Sequence, residues 1–313
     1  MRWSIGASTP AERGWNRVKP ISKDPLPTTR KDFRFHERMR VRWAEIDAQK
    51  IVFNGHYLMY FDTAVAGYWR ALALPYAPTM HGLGGDLYVR KATLEYHGSA
   101  RYDDLLEVGL RCARIGNSSM VFSAAAFRGD ERLVTGELVY VFADPATQTS
   151  RPVPQVLREW FLGFEAGEAM VQVNTGTWAE LGQAAQGVRT AVFIDEQQIP
   201  KEMEWDEADA VAVHAVALNR LGLPVATGRL LPAQDGVAKI GRMAVDKALR
   251  GSGLGRAVLE ALMAVAQARG DREILLHAQC SAEVFYSRQG FKRQGAVFVE
   301  AGIAHIEMVK NLD

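Results

Sequence analysis

An acidic residue beside the start of a predicted helix is the first arrangement in this sequence that suggests chemistry. Asp47 closes a polar run that looks like a strand, and a long apolar helix begins near Gly55 or His56 after a short loop. A helix start offers unpaired backbone N–H groups and a partial positive charge, which polarise a carbonyl while the carboxylate attacks it or activates a water. The pattern therefore predicts carbonyl hydrolysis in the first half of the chain.

A glycine-rich segment in the second half has the composition of an anion-binding loop. Gly251, Gly253 and Gly255 lie between a predicted strand ending at Val245 and a predicted helix. Glycines let backbone N–H groups converge on phosphate oxygens, and the helix dipole favours negative charge. We expect a bound diphosphate, although the spacing by itself also fits a flexible turn or a fragment of a dinucleotide-binding motif. A P-loop is disfavoured because no Gly-Lys-Ser/Thr follows.

The elements that position Asp47 are one buried helix and a run of strands. A strand is expected over 33–45, and a helix over 56–72 has an apolar face too broad for a surface helix. After a loop containing 81–85, four strand-like runs follow without an intervening helix, at about 87–96, 105–115, 119–127 and 132–142. This order predicts an α+β fold in which an antiparallel sheet curls around the helix.

The elements that position the glycine-rich loop alternate between helix and strand. We expect a strand near 170–174, a helix at about 179–193, strands at about 212–218, 224–231 and 237–245, and a helix directly after the loop. An acidic patch precedes the second strand and consists of Glu196, Glu202, Glu204, Asp206, Glu207 and Asp209. Charge runs of this kind favour a solvated loop.

Length and composition limit the class of protein. A chain of 313 residues predicts two domains, and 37 basic against 36 acidic residues give no field that favours nucleic acid or an anionic membrane. Cys112 and Cys280 lack disulfide or zinc spacing, and no segment resembles an export signal or a membrane span. We expect a cytoplasmic protein without a metal, with a flexible tail at 1–32 and domains at 33–166 and 167–313.

Over about residues 35–164 the sequence resembles the 4-hydroxybenzoyl-CoA thioesterase type of hotdog-fold protein. The resemblance rests on the spacing of Asp47, Ile51, Val52, Tyr57, Asp62 and Ala64, with Leu74 and Pro75 after the helix and Tyr102, Asp103, Asp104 and Leu106 before a strand. It implies that Asp47 is the catalytic carboxylate and that the backbone N–H near Asn54 donates to the oxygen of an acyl-CoA or acyl-carrier thioester. It also implies a homodimer or tetramer with an active site between subunits, in which His56 and Tyr57 are candidate substrate contacts. Lys50 stands where this family commonly has glycine.

Alternative interpretations of these residues remain open from the sequence. Asp47 also fits a turn or N-cap position, because Asp favours such places for local hydrogen bonding. Asp62 fits a residue that orients a neighbour in the site or a half-buried structural carboxylate, and the second interpretation is favoured. His56 is interpreted as a supporting contact at most. Direct attack by Asp47 and activation of water require the same placement, so the sequence does not separate them.

Over about residues 170–310 the sequence is similar to GNAT-type N-acetyltransferases, and within them to a small bacterial branch with undefined acceptors. The motifs are Arg250, Gly253 and Gly255 after 241–245, then Phe285, Tyr286, Gly290 and Phe291, with the narrower likeness in 192–197, 206–209, 278–279 and 300–308. The resemblance implies that the pyrophosphate of acetyl-CoA binds the loop formed by Arg250, Gly251, Ser252, Gly253, Leu254, Gly255 and Arg256. It also implies that backbone N–H groups at Met243 and Val245 hold the thioester carbonyl.

The same resemblance assigns the remaining chemistry of acetyl transfer. Tyr286 is implied as the general acid for the departing CoA thiolate, with a position in the core as its alternative interpretation. Glu196, Glu300 and His305 are candidates for binding or deprotonating a small amine acceptor.

Both halves thus point to thioesters of coenzyme A, and three functions follow from that. The leading hypothesis is a bifunctional enzyme that hydrolyses acyl-CoA in the first half and acetylates an amine in the second. In the alternative, only the second half does chemistry and the hotdog half is a dimerisation or acyl-binding module. The third is a regulatory sensor of acyl-CoA.

Overall fold

The computed structural model describes residues 29–312, so most of the predicted tail at 1–32 lies outside the described residues. The first sheet consists of β1 (Phe35–Arg40), β2 (Asp86–Tyr96), β3 (Leu105–Ile115), β4 (Ser119–Arg128) and β5 (Glu131–Ala143). Their order across the sheet is β1-β3-β4-β5-β2, and every pairing is antiparallel. This is the antiparallel sheet that the sequence predicted.

Helix α1 (His56–Ala71) packs against this sheet with one broad buried face, and its opposite face is exposed. Its buried residues are Tyr57, Tyr60, Phe61, Ala64, Gly67, Tyr68 and Trp69. Gly136 on β5 permits the close approach, because a Cβ there would lie 2.5 Å from the ring of Phe61. The sheet and α1 share one apolar core with α3 (Gln155–Glu165), whose aromatic rings pack against Tyr68. The predicted helix wrapped by a sheet is therefore confirmed.

Two local expectations in this half are wrong. The predicted loop around 81–85 is largely α2 (Tyr76–Leu83), which begins after Pro75 and ends at Gly84 with φ +67°. Burial of two side chains of α2 outweighs the weak helix propensity of its glycine. The predicted strand over 33–45 ends at Arg40, because Trp43–Glu45 forms a 3₁₀ turn.

The second sheet contains seven strands and lies in the second half. They are β6 (Val171–Gly176), β7 (Val213–Asn219), β8 (Pro224–Leu230), β9 (Val237–Val245), β10 (Glu273–Gln279), β11 (Lys292–Glu300) and β12 (Ile303–Asn311). Their order is β11-β12-β10-β9-β8-β7-β6, with β9 and β10 parallel and the other described neighbours antiparallel. The helices are α4 (Trp178–Arg189), α5 (Lys201–Glu204), α6 (Leu254–Arg269) and α7 (Glu283–Arg288), and a π-helical segment, Thr190–Glu196, extends α4.

The prediction of a solvated acidic loop is wrong for part of the patch: Glu204 and Asp209 are buried, while Glu196, Glu202, Asp206 and Glu207 are exposed as expected. Arg189, at the end of α4, is 1 % exposed and donates to the carboxylates of Glu204 and Asp209, which are 3 % and 4 % exposed. Arg229 on β8 donates to Asp209 and to Asp206. Burial of Asp209 would raise its pKa, but hydrogen bonds from the two arginines outweigh burial and hold the pKa below its usual range. The patch anchors the segment after α4 to the sheet.

The two halves touch each other beside α1. The side chain of Asn219, at the end of β7, donates over 3.0 Å to the backbone carbonyl of Ala73, just after α1. Its amide oxygen accepts hydrogen bonds from the backbone N–H groups of Leu221 and Leu223. Asn219 is buried, and both ends of its side-chain amide are hydrogen-bonded. No helix within residues 29–312 is long and apolar enough to cross a bilayer.

Candidate active sites

Asp47 lies in a tight loop that leads to the start of α1. The bridge between Ile46 and Val52 closes the loop, and the backbone N–H of Phe53 donates over 2.9 Å to the carbonyl of Glu45. The Oδ1 atom of Asp47 accepts from the backbone N–H of Gln49 over 2.8 Å. One carboxylate oxygen therefore has the turn-forming role of the alternative interpretation, while the other accepts no hydrogen bond from residues 29–312.

Lys50 occupies the left-handed region with φ +60°. This conformation favours glycine and costs other residues roughly 1–2 kcal/mol. The loop therefore keeps a backbone shape that glycine favours although lysine stands there, stabilised by the hydrogen bond from the Lys50 N–H to the Asp47 carbonyl at 3.0 Å.

The start of α1 presents backbone donors and an exposed apolar surface. Among the described residues, none accepts from the backbone N–H groups of Asn54 or Gly55. Next to them, His56 contacts the edge of the Phe53 ring and the Met59 sulfur, and Phe53 and Met59 are about half exposed. A helix start of this kind suits the oxygen of a thioester with an apolar group beside it.

Tyr57 differs from the other candidates because its side chain lies in the core. It is 2 % exposed, and its hydroxyl accepts from the backbone N–H of Ala100 over 2.9 Å. Burial raises the pKa of this phenol. We therefore interpret Tyr57 as a core residue that supports the helix start, and its predicted contact with substrate stays a prediction.

Glu45 ties the loop before Asp47 to α1, a contact that the sequence analysis did not predict. Its side chain is 3 % exposed and accepts from the backbone of Arg42 and from the hydroxyl of Tyr60 on α1, both over 2.7 Å. Burial would raise the pKa of Glu45, but these hydrogen bonds and the Arg42 guanidinium lower it instead. The i, i+3 spacing of Arg42 and Glu45 was a visible signal for this turn.

A cleft of about 450 Å³ runs between α1, α2 and the strands β2 and β5. Its walls are mainly apolar, and Asp62 supplies a carboxylate that is exposed rather than half-buried as expected. Tyr140 faces the same cleft, and burial together with the nearby Asp62 charge raises its pKa to about 12. Ala248, from the turn before the glycine-rich loop, closes part of the cleft.

The glycine-rich loop leads directly into α6 and leaves its first backbone donors open. Gly251 and Gly253 have φ +85° and +88°, and a Cβ on either would meet no atom within 4 Å. The first helical hydrogen bond is donated by Ala257 to Gly253, so the N–H groups from Leu254 to Arg256 have no acceptor within residues 29–312. The loop therefore has the open backbone geometry of the cradle that the sequence predicted, and its binding of an anion stays a prediction.

Strands β9 and β10 separate next to this cradle. Their parallel pairing ends at Ile240 and Leu276, and Arg242 with φ +52° marks an irregularity of β9 beyond that point. A Cβ on Gly255 would lie 3.4 Å from Val245 and 3.6 Å from Phe285. The end of β9, the cradle and α7 therefore meet at the gap between the strands.

A cavity of about 360 Å³ opens at this gap and contains four of the predicted residues. Met243, Tyr286, Glu300 and His305 all line it, whereas Val245 does not. Tyr286 is 8 % exposed, and burial raises its pKa to about 12. The hydroxyl therefore stays protonated well above neutral pH.

Glu196 lies outside the lining of this cavity. Arg250 donates to both of its carboxylate oxygens, and the hydrogen bond lowers the pKa of Glu196. Glu196, predicted to contact the acceptor, and Arg250, predicted to contact the cofactor, thus form an ion pair with each other. Lys239 and His277 also line the cavity, although the sequence analysis did not single them out. The two residues are 38 positions apart in the sequence and become neighbours only through the pairing of their strands.

Two family models match the chain, one in each half. The model described as thioesterase superfamily matches residues 49–135, which begins two residues after Asp47 and ends in β5. The model described as acetyltransferase (GNAT) domain matches residues 182–312. The hotdog and GNAT folds expected from the sequence are therefore confirmed, in the expected order.

Two relatives with known sequences agree with this division, one for each half. "Uncharacterized N-acetyltransferase YjcF" of Bacillus subtilis is 35% identical over 125 residues, which cover 40% of this chain and 88% of the relative. "Putative esterase" of Aquifex aeolicus is 33% identical over 96 residues, covering 31% of this chain and 74% of the relative. A crystal structure of an acyl-CoA N-acyltransferase from Pseudomonas aeruginosa is 33% identical with a TM-score of 0.41, covering 45% of this chain and 99% of that one.

Proposed function

Because the chain belongs to the thioesterase superfamily in its first half and to the GNAT acetyltransferases in its second, we propose that it is a bifunctional enzyme of CoA thioesters. The first half hydrolyses an acyl-CoA or acyl-carrier thioester, and the second transfers acetyl from acetyl-CoA to a small amine. The observation that carries the proposal is the open cradle at residues 250–256 beside the cavity that Tyr286 lines. We assign residues 33–166 and 167–313 to the two activities.

Acetyl transfer uses the cradle and the gap between β9 and β10. The pyrophosphate of acetyl-CoA accepts from the open N–H groups at the start of α6, and its thioester lies along the end of β9 at Met243 and Val245. The acceptor nitrogen bonds to the acetyl carbon, the carbon–sulfur bond breaks, and the sulfur leaves with the electron pair. The amine proton passes to a base or to water, and the thiolate gains a proton.

Tyr286 supports the departure of the sulfur as a hydrogen-bond donor. Its pKa of about 12 lies above the ordinary pKa of a thiol, about 8.5, so full transfer of its proton to an exposed thiolate is unfavourable. A protonated hydroxyl aimed at the sulfur still stabilises the charge that develops there. Burial also disfavours a charged thiolate, so it raises the pKa of the thiol in the bound complex. The difference between the pKa of Tyr286 and the pKa of the thiol is therefore smaller when CoA is bound.

Thioester hydrolysis uses Asp47 and the start of α1. The N–H groups of Asn54 and Gly55 polarise the carbonyl, and the free oxygen of Asp47 attacks the carbon or takes a proton from an attacking water. In both routes the carbon–sulfur bond breaks and the thiolate leaves with its electron pair. If water attacks, the acyl group ends directly as a carboxylic acid; if Asp47 attacks, it first forms an anhydride, and a water then hydrolyses the anhydride to the carboxylic acid and restores the Asp47 carboxylate. The cleft beside Asp62 and Tyr140 has the volume and apolar walls for an acyl group.

We assign the self-association of the protein to the first sheet. Strand β2 lies at the edge of this sheet and pairs with β5 alone among described strands. Most of its residues are exposed, and Val89 and Tyr96 are more than half exposed. A long exposed edge with apolar side chains is a template for pairing with a second copy, and this supports the expected dimer.

One observation favours the second candidate function, in which the hotdog half binds acyl groups without hydrolysing them. An oxygen of Asp47 already forms the loop through Gln49, as a purely structural aspartate would. In that case the first half still supplies the dimer and the acyl-binding cleft, and only the second half does chemistry.

Free-thiol release separates these functions. The protein is mixed with a panel of acyl-CoAs, with and without added amines, and free CoA is measured over time. Release without amine supports hydrolysis by the first half, and release that requires amine supports the transferase alone. Absence of release in both arms, with CoA binding retained, contradicts catalysis and favours an acyl-CoA sensor.

A further inference from the structure

The cavity beside Tyr286 has a charged end that acetyl transfer and CoA binding leave unexplained. The Lys239 ammonium and a carboxylate oxygen of Glu300 each lie 3.4 Å from the same ring nitrogen, Nδ1 of His277. All three side chains line the cavity. No carboxylate within residues 29–312 comes within 4 Å of the Lys239 nitrogen, so the opposite charges face one ring without pairing with each other.

The Nδ1 atom of His277 can form a hydrogen bond with only one of these two charged groups at a time. If Nδ1 is unprotonated, it accepts from Lys239 and gives nothing to Glu300; if it carries a proton, it donates to Glu300 and gives nothing to Lys239. In every state of His277, either Lys239 or Glu300 therefore lacks a partner of opposite charge or hydrogen-bonding character among residues 29–312. A ligand that carries both an anion and a cation supplies what is missing.

The other charges of the cavity are already paired. Asp206 accepts from Arg229 and Arg242, and Arg242 also lies 3.3 Å from Glu204. These groups hold the segment after α4 against the sheet. Lys239 and Glu300 are thus the charges of the cavity wall that remain for a ligand.

Sheet register explains why three distant residues converge. Lys239 on β9 is level with Leu275 on β10, so His277 stands one pleat further along on the same face. Glu307 on β12 pairs with His277, and its carboxylate lies 3.7 Å from Nε2 on the far side of the ring. The ring is thereby held between two carboxylates, with Nδ1 turned to the cavity.

We propose that the acceptor of the acetyltransferase site is a small amine that also carries a carboxylate, as an amino acid does. Lys239 binds the carboxylate, and Glu300 holds the ammonium. The ammonium passes a proton to Glu300 or to water, and its nitrogen then attacks the acetyl carbon. His277 lies between them as a positioning residue. A cavity of about 360 Å³ suits a small molecule of this class. This inference rests on the proposed acetyl transfer.

The test compares matched acids and amides in the full-length protein. The twenty common amino acids and β-alanine are each paired with their carboxamide, with a diamine and a lysine-containing peptide as acceptors of other classes. Acetylation rates and calorimetric binding in the presence of CoA are measured for wild type, Lys239→Met and Glu300→Gln. Lys292→Met is the control, because Lys292 is an exposed lysine at the start of β11 in the same sheet.

We expect wild type to prefer at least one acid over its amide by about 10–100-fold, the range of one charge-assisted hydrogen bond. The amide has the more easily deprotonated amine, so intrinsic reactivity opposes this preference. Lys239→Met should abolish the preference by lowering use of the acid more than use of the amide. Glu300→Gln should weaken acid and amide alike, and Lys292→Met should change neither.

The outcomes separate this inference from the proposed function. Equal use of acids and amides, or selective acetylation of the diamine or peptide, overturns the inference while acetyl transfer stands. Selective binding of an acid without any acetylation upholds the recognition site and contradicts the transferase. Absence of selective binding for every pair overturns the inference independently of turnover.

Discussion

Arg250 donates to both carboxylate oxygens of Glu196, over 2.7 and 2.6 Å, and thereby ties the glycine-rich loop to the segment that extends α4. The arginine that the motif offers to a pyrophosphate is thus already neutralised by a carboxylate. In the proposed anion binding, the backbone N–H groups of the loop are the donors to the pyrophosphate. The Arg250–Glu196 ion pair beside them has no net charge.

Removing that carboxylate should strengthen CoA binding. In Glu196→Gln one hydrogen bond to Arg250 remains while a negative charge next to the cradle is lost, and one charge in water at about 5–8 Å is worth roughly 0.5–1 kcal/mol. Titration calorimetry should show CoA affinity rising about threefold at low salt and the gain shrinking at high salt. A weaker affinity would instead show that the pair's main role is to hold the loop in shape.

Substitution of Asp47 by asparagine should remove thioester hydrolysis. The amide oxygen still accepts from Gln49, so the loop persists, but the anion is gone, and a lost base or nucleophile costs about 10²–10⁴-fold. Rates of CoA release without amine are the measurement. Asp144→Asn is the control, because Asp144 also accepts from a backbone N–H two residues on, at 2.8 Å. Equal hydrolysis by wild type and Asp47→Asn would exclude Asp47 as the catalyst.

Valine at Gly253 should weaken CoA binding in the second half. The position has φ +88° and open space ahead of it, so the side chain strains the backbone and fills the place proposed for the pyrophosphate. Loss of one or two charge-assisted hydrogen bonds predicts roughly 1.5–3 kcal/mol for each. Calorimetric titration of CoA into the folded full-length variant measures the loss.

A matched control separates strain from obstruction at this position. Gly270, at the other end of α6, has φ +84° and equally open space, so Gly270→Val imposes a similar backbone cost away from the cradle. Only the Gly253 variant should bind CoA more weakly, while hydrolysis at Asp47 continues in both. Equal affinity of both variants and wild type would make the loop a plain turn.

Glu165 should make stability depend on pH in a direction opposite to most carboxylates. Burial raises its pKa, and the group accepts from Tyr68 and from the backbone N–H of Cys112. Between the unfolded and the raised folded pKa the folded state holds more protons, so stability falls as pH rises through that window. The loss amounts to about 1.4 kcal/mol for each pH unit between the two pKa values. Glu165→Gln lacks this loss.

The measurement is the free energy of unfolding by denaturant, followed from mildly acidic to neutral pH. The difference between Glu165→Gln and wild type should grow in favour of the variant as pH rises. Glu159→Gln, on the exposed face of the same helix, should show a difference that does not change with pH. A flat difference for Glu165→Gln as well would mean that the carboxylate is ionised in the folded protein at no cost.

The sequence by itself determined the order of elements and the location of the local motifs. Three features depend on residues that are close together in the sequence, so the sequence pattern predicts them: the alternation of β3 to β5, the apolar face of α1, and the glycines at 251 and 253. The cradle beside α6 and the loop at Asp47 belong to this class, since each is built from a short run of consecutive residues.

Only the tertiary structure decided which charged side chains are paired with one another and which are available to a ligand. Glu204 and Asp209 looked solvated but are buried, because Arg189 and Arg229 reach them from other elements. Lys239 and His277 lie on separate strands, and strand register alone makes them neighbours. A charge pattern along the chain gives sign and spacing, but pairing depends on distance in space, which the packing of sheet and helix sets.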